Sequence, residues 1–153
     1  MARIIVLDAG PLGLASKARG KPDADRCRVW ILALGVAGAR VVVPEIADYE
    51  VRRELIRARK TTGLARLDRL EAGLTYDPIT TAAMRRAAEF WALVRQAGLP
   101  TAAPLALDAD CILAAQASLL GGPEDIVTIA TANVRHLNRI PNLDVRFWES
   151  ITS

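Results

Sequence analysis

Three aliphatic runs without polar alternation punctuate the chain: Ile4-Ile5-Val6-Leu7, Val41-Val42-Val43 and Ile126-Val127-Thr128-Ile129-Ala130. Runs this short and this continuously apolar suit strands covered on both faces, as in a parallel sheet packed between helices. A last short strand is predicted around Val145-Arg146-Phe147. Between the runs the apolar spacing turns helical. Residues 23–36 read as a helix with Val29, Leu32 and Val36 inward, residues 45–60 as a second, and residues 64–70 as a shorter third. Thr80 or Thr81 is a good N-cap for a helix to residue 97, with Met84, Ala87, Trp91 and Val94 as its inner stripe and Gly98 as its stop. Asp108 or Asp110 is expected to open the last long helix, which continues to Leu120. Gly10-Pro11 and Gly13 predict a turn after the first strand, residues 15–22 a basic loop, Tyr76-Asp77-Pro78 a connector and residues 99–107 a loop. Strands alternating with helices imply an α/β fold, a three-layer α/β/α sandwich around a mostly parallel sheet, with residues 1–153 as one domain.

Bulk properties narrow this picture only a little. With 52% hydrophobic and 24% charged residues the chain is built to fold, and with 5% aromatics its core must be aliphatic. A net charge of +3 permits a polyanionic partner without requiring one. Cys27 and Cys111 stand far apart without a CxxC companion, which excludes a disulfide framework or a cysteine zinc site and makes a reducing cytoplasm the default. No export signal or membrane-spanning stretch is evident, since the apolar opening is broken by Asp8 and residues 29–37 are too short to cross a bilayer. The Gly-x-x-x-x-Gly-Lys, Gly-x-Gly-x-x-Gly and Gly-x-Ser-x-Gly patterns are missing, so nucleotide-fuelled, dinucleotide-dependent and serine-hydrolase chemistries lose their usual support.

The acidic positions are more informative. Asp8 ends the first strand, Glu50 lies in the second turn of the helix after the second strand, and Asp110 is expected in the first turn of the helix before the third. Asn133 follows the end of that third strand. In a parallel sheet all four project from one edge, where ligands collect in α/β proteins. Converging carboxylates repel unless a cation neutralises them, and hard oxygen ligands select Mg²⁺ or Mn²⁺. Water held by such an ion suits phosphodiester cleavage.

Each residue also has a plainer role open to it. Asp8 can cap the following turn or helix, Glu50 can pair with Arg53 as a solvated helix charge, and Asp110 can be a first-turn acid favoured by the helix dipole. Asp108 fits an N-cap better than a ligand, and Asn133 fits a turn as well as a site. The basic run Arg52, Arg53, Arg57, Arg59 and Lys60 reads as a solvated face or as a ridge that contacts phosphates. His136, the single histidine, follows the last site loop, where a structural role is the commoner one.

Four blocks carry a resemblance. They are Val6-Leu7-Asp8-Ala9-Gly10-Pro11-Leu12, then Val43-Pro44-Glu45 through Arg53-Glu54-Leu55, then Leu107-Asp108-Ala109-Asp110 through Gln116-Ala117, and finally Ala130-Thr131-Ala132-Asn133-Val134-Arg135-His136-Leu137. In that order they resemble the blocks of PIN domains, and most of all the toxins of VapBC-type toxin–antitoxin pairs. The resemblance implies a parallel sheet between helices, Mg²⁺- or Mn²⁺-dependent endoribonuclease activity, homodimerisation and inhibition by a cognate antitoxin. It places Asp8, Glu50 and Asp110 at the three acids of the metal site. Asn133 falls where many members carry a fourth acid, Gly10 where a hydroxyl residue often follows the first acid, and Thr131 keeps the hydroxyl of the last block.

The expected activity is therefore metal-dependent hydrolysis of RNA by Asp8, Glu50 and Asp110, with Asn133 and Thr131 orienting water or phosphate and Arg53 and its neighbours holding the RNA backbone. A PIN-like binding module without turnover is the alternative, supported by the missing fourth acid. A phosphatase-like α/β hydrolase is a third class, but it ordinarily wants a second Asp close after Asp8, and Ala9-Gly10-Pro11 supplies none.

Overall fold

The computed structural model describes residues 1–98 and 104–153. In chain order its elements are β1 (Arg3–Leu7), α1 (Ala9–Ala15), α2 (Pro22–Val36), β2 (Arg40–Pro44), α3 (Glu45–Arg57), α4 (Thr61–Ala72), β3 (Thr75–Asp77), α5 (Thr81–Gln96), α6 (Pro104–Ser118), β4 (Ile126–Thr131), α7 (Val134–Leu137) and β5 (Asp144–Phe147), followed by a single 3₁₀ turn at Trp148–Ser150. The five strands form one sheet in the order β3-β2-β1-β4-β5, and every pairing is parallel. Among the described residues no helix is long and apolar enough to cross a membrane.

The continuous apolar character of β1 follows from its central place. Ile5 and Leu7 enter the core that α1, α2 and α4 cover through Leu12, Cys27, Ile31, Leu34 and Leu67. Ile4 and Val6 enter the core on the other face, with Leu113 of α6 and Leu137 of α7. Successive side chains of a strand point to opposite faces, so burial on both sides demands an apolar residue at every position. The three-layer sandwich follows directly. A further cluster joins α5 to α6 through Ala87, Phe90, Val94, Cys111 and Ala115.

Several local expectations are corrected. The Gly-Pro sequence after β1 is a helix, not a turn: Asp8 caps α1, accepting from the Ala9 N–H at 2.7 Å. Pro11 lies in the first turn, where its missing N–H leaves no bond unmade. The connector around Tyr76 contains the edge strand β3. Residues 99–103 of the expected 99–107 loop lie outside the described residues, and residues 104–107 are already helical, so Asp108 is not an N-cap and Asp110 falls in the second turn of α6. A proline at the start, where no N–H need be donated, suits the earlier beginning.

Two inner stripes are also rotated. α2 buries Ala24, Cys27, Ile31 and Leu34 and leaves Val29, Leu32 and Val36 exposed. Apolar residues occupy both faces of α2, so spacing alone does not choose; small Ala24 and Cys27 let the helix approach α1 closely, with the Cys27 Sγ 3.3 Å from the Pro11 carbonyl oxygen. α5 buries Ala83, Ala87, Phe90 and Val94, one position around from the expected Met84 and Trp91. Thr80 does cap α5, accepting from the Ala83 N–H, and Gly98 at φ 65° ends it in the left-handed conformation that glycine tolerates.

One buried polar residue ties the site's scaffold together. α3 follows Pro44 without a side-chain cap. Instead the Oε1 of Gln116 on α6 accepts from the Ile46 N–H at 3.2 Å, while its Nε2 donates to the Asp77 carbonyl at 2.7 Å. Gln116 thereby joins the start of α3, the end of β3 and the last turn of α6, and so ties together the two helices that carry Glu50 and Asp110.

Candidate active site

The order in which strands are added reverses between β1 and β4: β2 and β3 are laid on one side of this parallel pair and β5 on the other. Beyond the carboxyl ends of such a pair a crevice opens. Asp8 and Thr131 stand on either side of it. The Asp8 N–H donates to the Ala130 carbonyl at 2.9 Å, and the Thr131 hydroxyl donates to Asp8 Oδ2 at 2.7 Å. With Ala9 holding Oδ1, both oxygens of Asp8 are oriented before any ligand arrives. The two roles foreseen for Asp8, helix cap and site acid, are thus compatible.

Glu50 on α3 and Asp110 on α6 converge on Asp8 closely enough for their charges to interact. Burial, followed by the charge of Asp8, pushes Glu50 up to about 7; Arg53 opposes this and Asp110 adds to it. Burial, followed by Asp8, pushes Asp110 up to about 6, with Arg139 opposing. Burial raises Asp8 as well, against the Thr131 hydroxyl, the Ala9 N–H and His136. Among the described residues, no three Asp, Glu, His or Cys side chains are drawn together into a ready-made metal-binding set. The three acids stand within range of one another's charge. Their donors are all carboxylate oxygens, and the strain of gathering them is of the kind that a hard divalent cation relieves.

The other candidates divide. Arg53 lies 3.9 Å from Glu50 and 5.1 Å over the Tyr49 ring, so the pairing with Glu50 is loose. Asn133 is exposed, and its recorded bond is from its backbone N–H to the Thr131 hydroxyl oxygen at 3.0 Å; its side chain does not cap α7. Asp108 is exposed and lines a separate hollow beside Met84, Trp91 and Cys111. The basic run on α3 splits likewise. Arg52 turns away to Asp48, Asp68 and Glu71 at 2.9, 2.7 and 3.3 Å, and Arg57 pairs with Glu54. Arg53, Arg57 and Lys60 join Lys17, Lys21 and Arg66 around a groove of about 920 Å³ that reaches Glu50.

His136 is the residue whose place was not anticipated. α7 is a single turn, and it brings the His136 Nδ1 to 3.7 Å from Asp110 Oδ2. Its position after the last site loop was the signal in the sequence, and its approach to Asp110 becomes evident only once that stretch is known to be helical.

Gly10 also has a structural reason. A Cβ there would lie 2.9 Å from the Cβ of Ala132, in the loop that carries Thr131. The side chain is absent because α1 and this loop meet at that point.

No curated protein sequence matches the chain significantly. Solved structures are similar in fold. VapBC2 from Rickettsia felis bound to a promoter DNA fragment superposes with a TM-score of 0.70 at 18% identity, covering 95% of this chain and 98% of that one. DNA-bound VapBC from Salmonella typhimurium gives 0.65 at 19% identity, covering 97% and 99%. VapC20 from Mycobacterium tuberculosis, a Sarcin-Ricin loop cleaving toxin, gives 0.56 at 17% identity, covering 82% and 86%. The PIN domain family model matches residues 5–147. That match runs from within β1 to the end of β5 and takes in every acid of the crevice: the chain belongs to the PIN domain family.

Proposed function

We propose that this protein is a metal-dependent endoribonuclease that hydrolyses RNA phosphodiester bonds, and that it is the toxin of a toxin–antitoxin pair. The observation that carries this reading is the convergence of Asp8, Glu50 and Asp110, drawn from three different elements, at the crevice between β1 and β4. Structural elements rarely aim three carboxylates at one another without a positive ligand between them. Asp8, Glu50 and Asp110 would hold Mg²⁺ or Mn²⁺, which when bound supplies an activated water and offsets charge on the phosphate.

The chain's own groups would do the rest. Thr131 and the Ala9 N–H fix the orientation of Asp8. Asn133 contributes through its backbone, by holding the Thr131 hydroxyl oxygen. Arg53 and the lysines of the adjoining groove would take successive phosphates of a single strand, which positions RNA without reading its sequence. The structures that share this fold are of VapBC bound to DNA, and on that likeness we extend the proposal to an antitoxin partner; a homodimer is proposed on the family resemblance alone. Both cysteines are free and buried, in keeping with a cytoplasmic setting.

The deciding experiment incubates purified protein with transfer RNA and with total cellular RNA, in Mg²⁺, in Mn²⁺ and in excess chelator, beside Asp8→Asn. Discrete products that need the metal and disappear in D8N are expected. RNA retained without any metal-dependent product would favour the binding-module reading instead.

A further inference from the structure

The crevice holds one group that the three-acid account leaves unused. We propose that His136 is a nitrogen ligand of the same cation that Asp110 helps to hold, so that the site is a mixed carboxylate–imidazole site; this rests on the metal-dependent reading above. The position that the family resemblance assigns to a fourth acid is held by Asn133, whose side chain is exposed. One helical turn on, His136 presents Nδ1 at 3.7 Å from Asp110 Oδ2. Two atoms each about 2.1 Å from one ion lie at most about 4.2 Å apart, so this pair fits a shared ion as it stands.

The turn that carries the ring is also anchored. Its neighbour Leu137 is 1% exposed and packs with Ile4, Leu113 and Ile129, anchoring the turn against both the sheet and α6, which carries Asp110. A histidine on a solvated loop would not be positioned this way. At 29% side-chain exposure the imidazole remains accessible to a ligand.

A nitrogen among oxygen ligands changes which ion is preferred. Imidazole adds affinity for transition metals, whereas Mg²⁺ gains little from it. Replacing a fourth carboxylate by a neutral ring also removes one negative charge, which weakens Mg²⁺ further because that ion is held by charge. The site is therefore a Mn²⁺-preferring one.

The test uses the full chain with each metal alone. Pulsed EPR of the Mn²⁺-loaded wild type should show ¹⁴N coupling from a bound imidazole, and His136→Gln should lose it. Calorimetric titrations with Mn²⁺ and Mg²⁺ should show the Mn²⁺/Mg²⁺ affinity ratio falling about tenfold in His136→Asp, with Mg²⁺ affinity held or improved. A residue that served only the fold would lower both affinities together. Bound Mn²⁺ without nitrogen coupling overturns the role of His136 and leaves the ribonuclease reading intact. Absence of any divalent binding, together with absence of RNA cleavage, overturns both. Should the variants fail to fold, the wild-type spectrum alone decides.

Discussion

Thr131 and Asp8, from the ends of adjacent strands β4 and β1, share a hydrogen bond of 2.7 Å that orients one oxygen of the proposed metal-binding carboxylate. Thr131→Val keeps the shape and removes the donor. The hydroxyl lowers the Asp8 pKa, so the variant should raise it further, as read by carboxyl-carbon NMR. Loss of a bond to a charged group should cost about 1–3 kcal/mol of stability and at least about tenfold in cleavage. Thr131→Ser should retain most of both. An unchanged Asp8 titration in T131V would show that the hydroxyl is idle.

Glu50 supplies a prediction in pH. In the folded chain it keeps its proton up to about pH 7, whereas the unfolded chain releases it near the ordinary glutamate value of 4.5. Between these values the folded state binds more protons than the unfolded one, so its contribution to stability falls as pH rises through that window and is constant above it. Glu50→Gln removes the fall. Without divalent ions the variant should match wild type near about pH 4 and exceed it near about pH 8, by on the order of 1 kcal/mol after solvent screening. Chemical denaturation at both pH values checks this, and an equal gain at both would contradict it.

Arg52 and Arg57 both form ion pairs on α3, with different expected worth. Arg52 forks to Asp48 and reaches Asp68 and Glu71 on α4, and Asp48 and Glu71 are only 12% and 10% exposed. Burial, and then a hydrogen bond with Asp48, pushes Glu71 up to about 8. Arg52→Ala strips the cation from this buried pair and should cost on the order of 2 kcal/mol. Arg57→Ala, which breaks an exposed pair with Glu54, should change nothing measurable. Parallel urea titrations of the two variants decide; similar losses would mean that burial does not set their worth.

Gly10→Ala sets helix propensity against close approach. Alanine gains up to about 1 kcal/mol inside a helix, yet its Cβ would meet that of Ala132 at 2.9 Å, and forced overpacking costs about 1–3 kcal/mol. The single variant should be destabilised, and its displaced loop should disturb Thr131. In an Ala132→Gly background the obstacle is gone and the same change should stabilise. A double-mutant cycle reads the reversal directly.

The central strands were legible because burial on both faces leaves a mark that few other environments leave: Ile4 through Leu7 have no position to give to a polar residue. β3 was not, since a three-residue edge strand containing Tyr76 and Asp77 takes its form from pairing with β2 rather than from its own pattern. α1 was hidden by Gly10 and Pro11, which signal a turn in general but sit here where a helix start accommodates them. Stripes on α2 and α5 were misplaced because apolar residues occupy more than one face, and only packing against α1 and α6 decides between them. Asp8, Glu50 and Asp110 were visible as acids at strand and helix ends. His136 was not, because its relation to Asp110 depends on the single turn of α7.

The sheet order has a consequence for how the protein comes into being on the ribosome. β1 lies between β2 and β4, yet β4 is made some 120 residues after it. A half-finished chain carries β1 with one edge bare and Asp8 without the hydroxyl that steadies it. Only when synthesis has passed Thr131 and His136 do all the groups of the crevice exist together, so on the proposed reading a nascent chain shorter than this cannot cleave the RNA around it.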